Sequence, residues 1–159
     1  MKPNKPGAVV NSFDNARTFK GFVQAKNTGA AVITGGMACK VDIAQLNTDV
    51  DPAFLAVEKC TTGTVVAGAY PSGGPDIPVN GKFLMQVVGP CLVLVEGTTD
   101  VAAEDGLEAD AASAGALEKN AGPTEQLTTG AVALAAVTDA GPAAANVWLL
   151  NRYGLTPTH

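Results

Sequence analysis

The side chains with the greatest capacity for chemistry are three cysteines and one histidine: Cys39, Cys60, Cys91 and His159. Three thiolates and one imidazole form a ligand set that zinc accepts in structural sites. Such sites usually include two ligands only a few residues apart, whereas these four residues are widely separated, and His159 is the last position. We therefore expect no metal and no cofactor. Because three is an odd number, at least one cysteine is unpaired within a chain, and we expect reduced, buried thiols.

A second group that could do chemistry is an acidic cluster, Glu104, Asp105, Glu108 and Asp110. A calcium site needs several oxygen ligands and usually a loop that turns sharply at a glycine. The spacing of the cluster does not match the EF-hand pattern. We therefore interpret these carboxylates as part of a solvated acidic loop.

Nucleophilic catalysis finds little support in the sequence. The serines Ser12, Ser72 and Ser113 would each need a base, and the chain has no internal histidine. The sequence contains no nucleophile elbow, phosphate-binding loop or dinucleotide fingerprint. We predict that the protein is not an enzyme, and catalysis by carboxylates alone is the least favoured alternative.

Charge is divided unevenly along the chain, which carries a net charge of −5. Residues 1–26 contain five basic residues and one acid, giving +4, and the other five basic residues and fourteen acids give −9. A basic segment can bind phosphate groups, but the acidic body has no basic patch interleaved with aromatic residues. No stretch reaches the roughly 18 apolar residues of a membrane span. We expect a protein surface as the partner, and neither nucleic acid nor a membrane.

The basic segment begins with an extended N-terminal arm, residues 1–18, in which proline and polar residues leave little to bury. Two interpretations stay open: a disordered terminus, and an arm that becomes ordered on a partner. For the second, the candidate contacts are the charges and the isolated aromatic residue of this region: Lys2, Lys5, Phe13, Arg17 and Lys20.

From residue 19 onward the sequence has the pattern of short β-strands. Between residues 37 and 43, Cys39, Val41 and Ile43 alternate with polar residues, which is typical of a half-exposed sheet. Glycine-rich turns such as Asn80-Gly81 separate the strands at intervals of roughly 8–12 residues. The pattern predicts an all-β fold, a small β-barrel or β-sandwich, with residues 19–159 as a single β-rich domain. We find no repeat of fixed period.

Two regions of this domain need separate interpretation. Val101–Asn120 has helix-forming residues, but Gly106 and Gly115 weaken the helix, so helix and loop both stay open. The strand predicted at Ala145–Asn151 is apolar, and we expect its Trp148 to lie in the core.

The order of motifs in residues 81–151, about half the chain, resembles a known family. A strand that ends in Gln86-Val87 and a glycine leads into an apolar strand followed by Gly97-Thr98-Thr99. A Gly-Ala-Val-Ala-Leu strand begins at Gly130, and Val147–Leu150 forms a last apolar strand. This order resembles the small decoration (cement) proteins of tailed-bacteriophage capsids. The chain departs from that pattern at residues 104–106, where Glu-Asp-Gly replaces a Gly-Asp turn.

The resemblance implies a structural, non-enzymatic virion protein on the capsid exterior, made in the host cytoplasm. Its partner would be the major capsid protein, whose subunits it would bridge to stabilise the shell. Such proteins form trimers or other small oligomers, so we expect a homo-oligomer, a trimer by resemblance. Two alternatives remain: another virion part (a head fibre base, tail or baseplate subunit), and a carbohydrate-binding β module.

Overall fold

The computed structural model describes residues 21–46, 53–120, 122 and 129–155. Within these residues the fold is all-β, as predicted, with ten strands and one short helix. The strands form two closed five-stranded barrels that follow one another along the chain. In this part of the chain no helix has the length and apolar character of a membrane-spanning segment.

The first barrel contains strands β1 to β5 and a one-turn helix, α1. Their bounds are β1 Phe22–Asn27, β2 Ala38–Val41, α1 Ile43–Leu46, β3 Leu55–Lys59, β4 Gly68–Ala69 and β5 Lys82–Gln86. The order around the barrel is β1–β3–β2–β4–β5, and β5 pairs with β1 to close it. The β1–β3 pair is parallel, and the other pairs are antiparallel. The predicted alternation is present in β2, where Cys39 and Val41 face the core. It is wrong for Ile43, which lies beyond the end of β2, begins α1 and is 64% exposed.

The second barrel contains strands β6 to β10. Their bounds are β6 Val88–Val95, β7 Gly106–Ala109, β8 Leu117–Lys119, β9 Ala131–Ala133 and β10 Ala143–Leu150. The order around the barrel is β6–β8–β7–β9–β10, and β10 pairs with β6 to close it. Here β6 and β8 are the parallel pair. The longest contact is between the eight-residue strands β6 and β10, which pair along their whole length.

The two barrels repeat one topology, strand for strand. The correspondence extends to single residues, because each barrel has one isolated bridge outside its strands, at the same place in the fold: Ile33 with Ile77, and Val101 with Val137. Residues 22–42 correspond without a gap to residues 90–110. Over these two segments the identical pairs are Gly29 with Gly97 and Asp42 with Asp110. The repeat therefore lies in register and hydrogen bonding, which explains why the sequence shows no fixed period.

The barrels contact each other closely. The backbone N–H of Ala38 donates to the carbonyl of Gly115 (2.7 Å), and the N–H of Gly115 donates to the carbonyl of Cys60 (2.9 Å). One apolar cluster contains the core of the second barrel together with residues of the first, including Val66 and Ala69. The hydrophobic burial that stabilises the second barrel thus also holds the first barrel against it.

Residues 101–120, for which the sequence left helix and loop as alternatives, form strands β7 and β8. Leu107 and Ala109 face the barrel interior, and Leu117 pairs with Ala109 across the two strands. The pairing partners and the core outweigh the helix propensity of this segment. Between β1 and β2 the chain forms only the single bridge at Ile33, and β4 has only two residues.

The expectation that Trp148 lies in the core is wrong. Its side chain is 43% exposed, because its neighbours Val147 and Leu149 point into the barrel and are buried. Alternation along the strand therefore places Trp148 on the outer surface.

Candidate functional site

The predicted capsid-binding residues lie outside the described part of the chain, as does the arm, residues 1–18, that was to carry them. They are Lys2, Lys5, Phe13, Arg17 and Lys20. The sites that the structure brings together are therefore in the two barrels.

The three cysteines are buried and free, as expected of structural thiols. Burial raises the pKa of Cys60 and of Cys91 to about 12, and burial, followed by the nearby Cys60, raises that of Cys39 well above its usual value. A thiol protonated at neutral pH is a poor nucleophile and a poor metal ligand. Among the described residues no cluster of three metal-binding side chains occurs, and His159 lies outside them.

The acidic cluster is divided between a turn and a strand. Glu104 occupies a left-handed position (φ 73°) in the turn before β7. Asp105 accepts a hydrogen bond from the N–H of Ala102 (2.7 Å) and forms an ion pair with Lys119 (2.9 Å), and these contacts lower its pKa. Asp110 is 3% exposed, so the interpretation of the cluster as a solvated loop is wrong for this residue.

The burial of Asp110 is explained by the repeat. Its Oδ1 accepts the N–H of Ala112 (2.7 Å), as the Oδ1 of the corresponding Asp42 accepts the N–H of Gln45 (3.2 Å). The Oδ2 of Asp42 also accepts the hydroxyl of Thr28 (2.7 Å), whereas the Oδ2 of Asp110 has no hydrogen-bond partner. Glutamate occupies the position that corresponds to Thr28. In the second barrel this turn therefore lacks one hydrogen bond that the first barrel supplies, the one to the Oδ2 of the aspartate.

Among the described residues, each barrel has an open cleft on its surface. The cleft of the first barrel (about 410 Å³) is lined by residues that include Lys40, Asp42, Ile43, Glu58 and Tyr153. Its charged groups are engaged, because Lys40 pairs with Glu58 (3.3 Å) and Asp42 binds Thr28. The cleft of the second barrel (about 330 Å³) is lined by Gly106, Asn120, Gly122, Thr129 and Arg152. Neither cleft combines a nucleophile with a base at hydrogen-bonding distance among these lining residues.

The most distinctive surface is the outer side of strands β9, β10 and β6. Its apolar residues, named here the apolar face, are Pro90, Leu92, Val132, Leu134, Ala144 and Trp148. Leu92 and Trp148 are each 43% exposed and Leu134 is 46% exposed. Among the outward residues of this face the polar Asn146 lies opposite Leu92. A set of large exposed apolar side chains on one face is typical of an interaction surface.

Comparison with known proteins adds one finding about the fold. No protein-family model and no curated protein matches the chain. The fold resembles a phage head fibre base. The solved structure is the head fibre gp8.5 N base of bacteriophage phi29, which matches with a TM-score of 0.55 and 11% sequence identity. The match covers 87% of this chain and 97% of that chain, so the two share nearly the whole architecture, and at this identity the likeness establishes the fold alone.

Sequence reasoning missed the apolar face, although a signal was present. Strand β6 carries apolar residues without alternation, a pattern typical of a strand that is buried on both sides. Val93 and Val95 are buried in the barrel, while Leu92, which precedes Val93, and Pro90 are exposed. An apolar run of this kind is equally compatible with a second face that another molecule covers.

Proposed function

We propose that the protein is a structural part of a tailed-phage virion, attached to the outside of the head as the base of a fibre or similar projection. The observation that carries the proposal is the fold likeness to the head fibre base, which extends over 87% of this chain. It favours the head fibre base, an alternative in the sequence analysis, over the decoration protein. The bridging of major capsid protein subunits remains a prediction.

A non-enzymatic role agrees with the chemistry of the described residues. The cysteine thiols are buried with raised pKa values, and the charged residues of the larger cleft form an ion pair and hydrogen bonds. The fold therefore presents surfaces for binding, and we propose that it needs no cofactor.

The proposed partner is the major capsid protein, contacted by the basic arm. The arm is part of residues 1–26, which carry a net charge of +4. A basic segment attached to an acidic body suits an acidic patch on another protein, because charge complementarity speeds and orients association. The proposal includes neither a membrane nor nucleic acid as a partner.

The test uses particles of the phage that encodes this chain. Heads and tails are separated on a gradient and probed with an antibody raised against the full chain, and intact virions are labelled with the same antibody. We expect the chain in the head fraction and label on the head surface. Its presence in the tail fraction alone would overturn the proposal.

A second measurement separates a fibre base from a decoration protein. Heads made with and without the chain are compared for resistance to heat and to low salt. A fibre base leaves that resistance unchanged, whereas a decoration protein that bridges capsid subunits increases it. Replacing Lys2, Lys5, Arg17 and Lys20 with alanine should reduce occupancy on the head in either case.

A further inference from the structure

The outer surface of the first barrel shows how a neighbouring barrel docks. Four outward positions lie side by side across its strands: Ala38, Ala69, Gln86 and Phe22. The second barrel covers three of them, because Ala38 and Ala69 are 0% exposed and Gln86 is 8% exposed. The two alanines pack in the core cluster of the second barrel, and the side-chain amide of Gln86 donates to the carbonyl of Pro90 (2.6 Å).

The second barrel has the same four positions, and within the described part of the chain they are partly or largely exposed. They are Gly106, Val132, Trp148 and Pro90, paired in the same order across its strands. Trp148 corresponds to Gln86 and is 43% exposed, and Val132 corresponds to the fully buried Ala69 and is partly exposed. The surface that is covered in the first barrel is therefore available in the second.

The element that does the covering has a counterpart in the first barrel. The loop between β7 and β8 reaches the first barrel through Gly115, which exchanges backbone hydrogen bonds with Ala38 and Cys60. The counterpart is the connection from β2 to β3, of which the structure describes the part that contains α1, while residues 47–52 lie outside the described residues. On α1, Ile43 is 64% exposed and Leu46 is 46% exposed.

The place on the second barrel that corresponds to the contact site of Gly115 on the first barrel is the smaller cleft. Gly106 and Asn120, which line it, correspond to Ala38 and Cys60. The correspondence is visible in the backbone, because Asn120 donates to the carbonyl of Gly106 (2.9 Å) as Cys60 donates to that of Ala38 (2.9 Å). Among its described residues, a copy of the chain thus has the exposed apolar residues of α1 on its first barrel and an open face with a cleft on its second.

We propose that the first barrel of a second copy docks, through α1, on the apolar face of the second barrel. This contact repeats between copies the contact that joins the two barrels within one copy. It is head-to-tail, so it extends through successive copies and forms a ring if the rotation closes. The inference stands apart from the proposed function, because it rests on the repeat and not on the phage likeness.

The composition of the face supports a second copy as the occupant. The outward residues of β6 and β10 on this face, Asn146 included, carry no charge in a chain of net charge −5, so two copies meet there with little repulsion. The fold itself does not require apolar residues at these positions, because Gln24 and Lys82 occupy the places of Leu92 and Ala144 in the first barrel. An exposed tryptophan among leucines is also the kind of residue that dominates interface energies.

The apolar face is too small to form a stable interface alone, so docking needs α1 as well. Strands of eight residues are about 25 Å long, and three strands span about 14 Å. A stable interface buries about 800 Å² on each partner, which exceeds the area of this face. The face therefore supplies the apolar centre of the contact, and α1 in the cleft supplies a further part.

The test compares two leucines of nearly equal exposure on corresponding sheets. Leu92 is 43% exposed on the apolar face, and Leu84 is 45% exposed on the first barrel. Light scattering of the full chain should give a mass that is a multiple of 16.0 kDa. Leu92→Lys and Ile43→Lys should each reduce the mass to one copy, while Leu84→Lys leaves it unchanged. Leu134→Lys is a second face variant, and circular dichroism shows that each variant is folded.

Mixing the variants tests the head-to-tail geometry. Leu92→Lys retains an intact α1 and Ile43→Lys retains an intact face, so a mixture should form a pair of about twice 16.0 kDa. Trp148 is the sole tryptophan, and its emission should shift to longer wavelength when the wild type is diluted into monomers. A wild type that is monomeric at its highest soluble concentration would overturn the proposal. Equal dissociation by Leu84→Lys, or a mixture that does not pair, would do the same.

Discussion

Glu108 and Glu118 lie directly opposite each other on strands β7 and β8, so two like charges meet in one cross-strand pair. At the corresponding positions of the first barrel, Lys40 faces Glu58 and the two form an ion pair (3.3 Å). The pKa of Glu118 is raised, first by partial burial and then by the neighbouring carboxylates, which include Glu108. The repeat has thus kept the backbone pairing while reversing one charge.

We predict that Glu108→Lys stabilises the protein at about pH 7, by roughly 0.2–1 kcal/mol, the usual contribution of an opposite-charge cross-strand pair. The pKa of Glu118 is raised in the fold, so the folded state is favoured most when Glu118 is protonated. The free energy of unfolding therefore decreases as the pH rises through the folded pKa. The advantage of the variant should therefore be largest at neutral pH and begin to shrink as the pH falls through the raised folded pKa of Glu118, above its usual 4.5. Urea unfolding at several pH values measures it.

The reverse substitution provides the control. Lys40→Glu places two glutamates opposite each other in the first barrel and should reduce stability by a similar amount. Both effects should weaken at high salt, which screens partly exposed charges. A gain for Glu108→Lys that is unchanged by salt would show that charge is not its cause.

The sequence predicted much of this fold, and each part that it misjudged has a physical reason of its own. Cys39 and Val41 were placed correctly because alternation is a local property of a half-exposed strand. Trp148 was misplaced because an apolar residue on an outer face looks, in sequence, like one in the core. Residues 101–120 stayed ambiguous because their strands depend on partners far along the chain. The repeat was invisible because register can persist while side chains change.

The turn held by Asp42 gives a second prediction. Thr28→Val removes the hydroxyl that binds the Oδ2 of Asp42 (2.7 Å), and we expect a loss of about 1 kcal/mol, since Asp42 is partly exposed. Glu96 occupies the position of Thr28 in the second barrel, and its N–H donates to Leu117 as that of Thr28 donates to Val57. Because the backbones correspond, Glu96→Thr should supply the missing donor to Asp110.

Glu96→Thr also removes the hydrogen bonds that the Glu96 carboxylate accepts from Thr98, as does Glu96→Val. We therefore expect the midpoint of thermal unfolding of Glu96→Thr to lie roughly 2–4 °C above that of Glu96→Val, the shift that one hydrogen bond produces in a chain of this size. Calorimetry measures both variants. Glu96→Val removes the same carboxylate without adding a hydroxyl and serves as the control. Equal midpoints for the valine and threonine variants would contradict the predicted hydrogen bond.

The buried thiols predict slow chemistry in the native state. Cys39 and Cys60 are 0% exposed and Cys91 is 5% exposed, and burial raises the pKa of each. Thiolate is the reactive form, so a disulfide reagent at about pH 8 should modify the native protein only at the rate of its opening. All three thiols should react at once in denaturant. Rapid modification of one thiol without denaturant would show that its burial is incomplete in solution.

Gly115 provides a prediction about the contact between the barrels. It has a positive φ of 92°, and a Cβ at this position would lie 2.9 Å from the Cγ of Met37 in the first barrel. Gly63 also has a positive φ (74°), but a Cβ there would meet nothing within 4 Å. Gly63→Ala should therefore cost about 1–2 kcal/mol for the left-handed backbone alone.

Gly115→Ala should cost that amount and roughly 1–3 kcal/mol more, because the methyl group pushes Met37 and strains the hydrogen bonds that Gly115 makes with Ala38 and Cys60. Urea unfolding of the two variants measures the difference, and Met37→Ala in the Gly115→Ala background should recover part of it by opening space. Since the left-handed strain is common to both glycines, the excess at Gly115 reports the packing of one barrel on the other. Equal losses at the two positions would mean that this contact adds little to the stability of the chain.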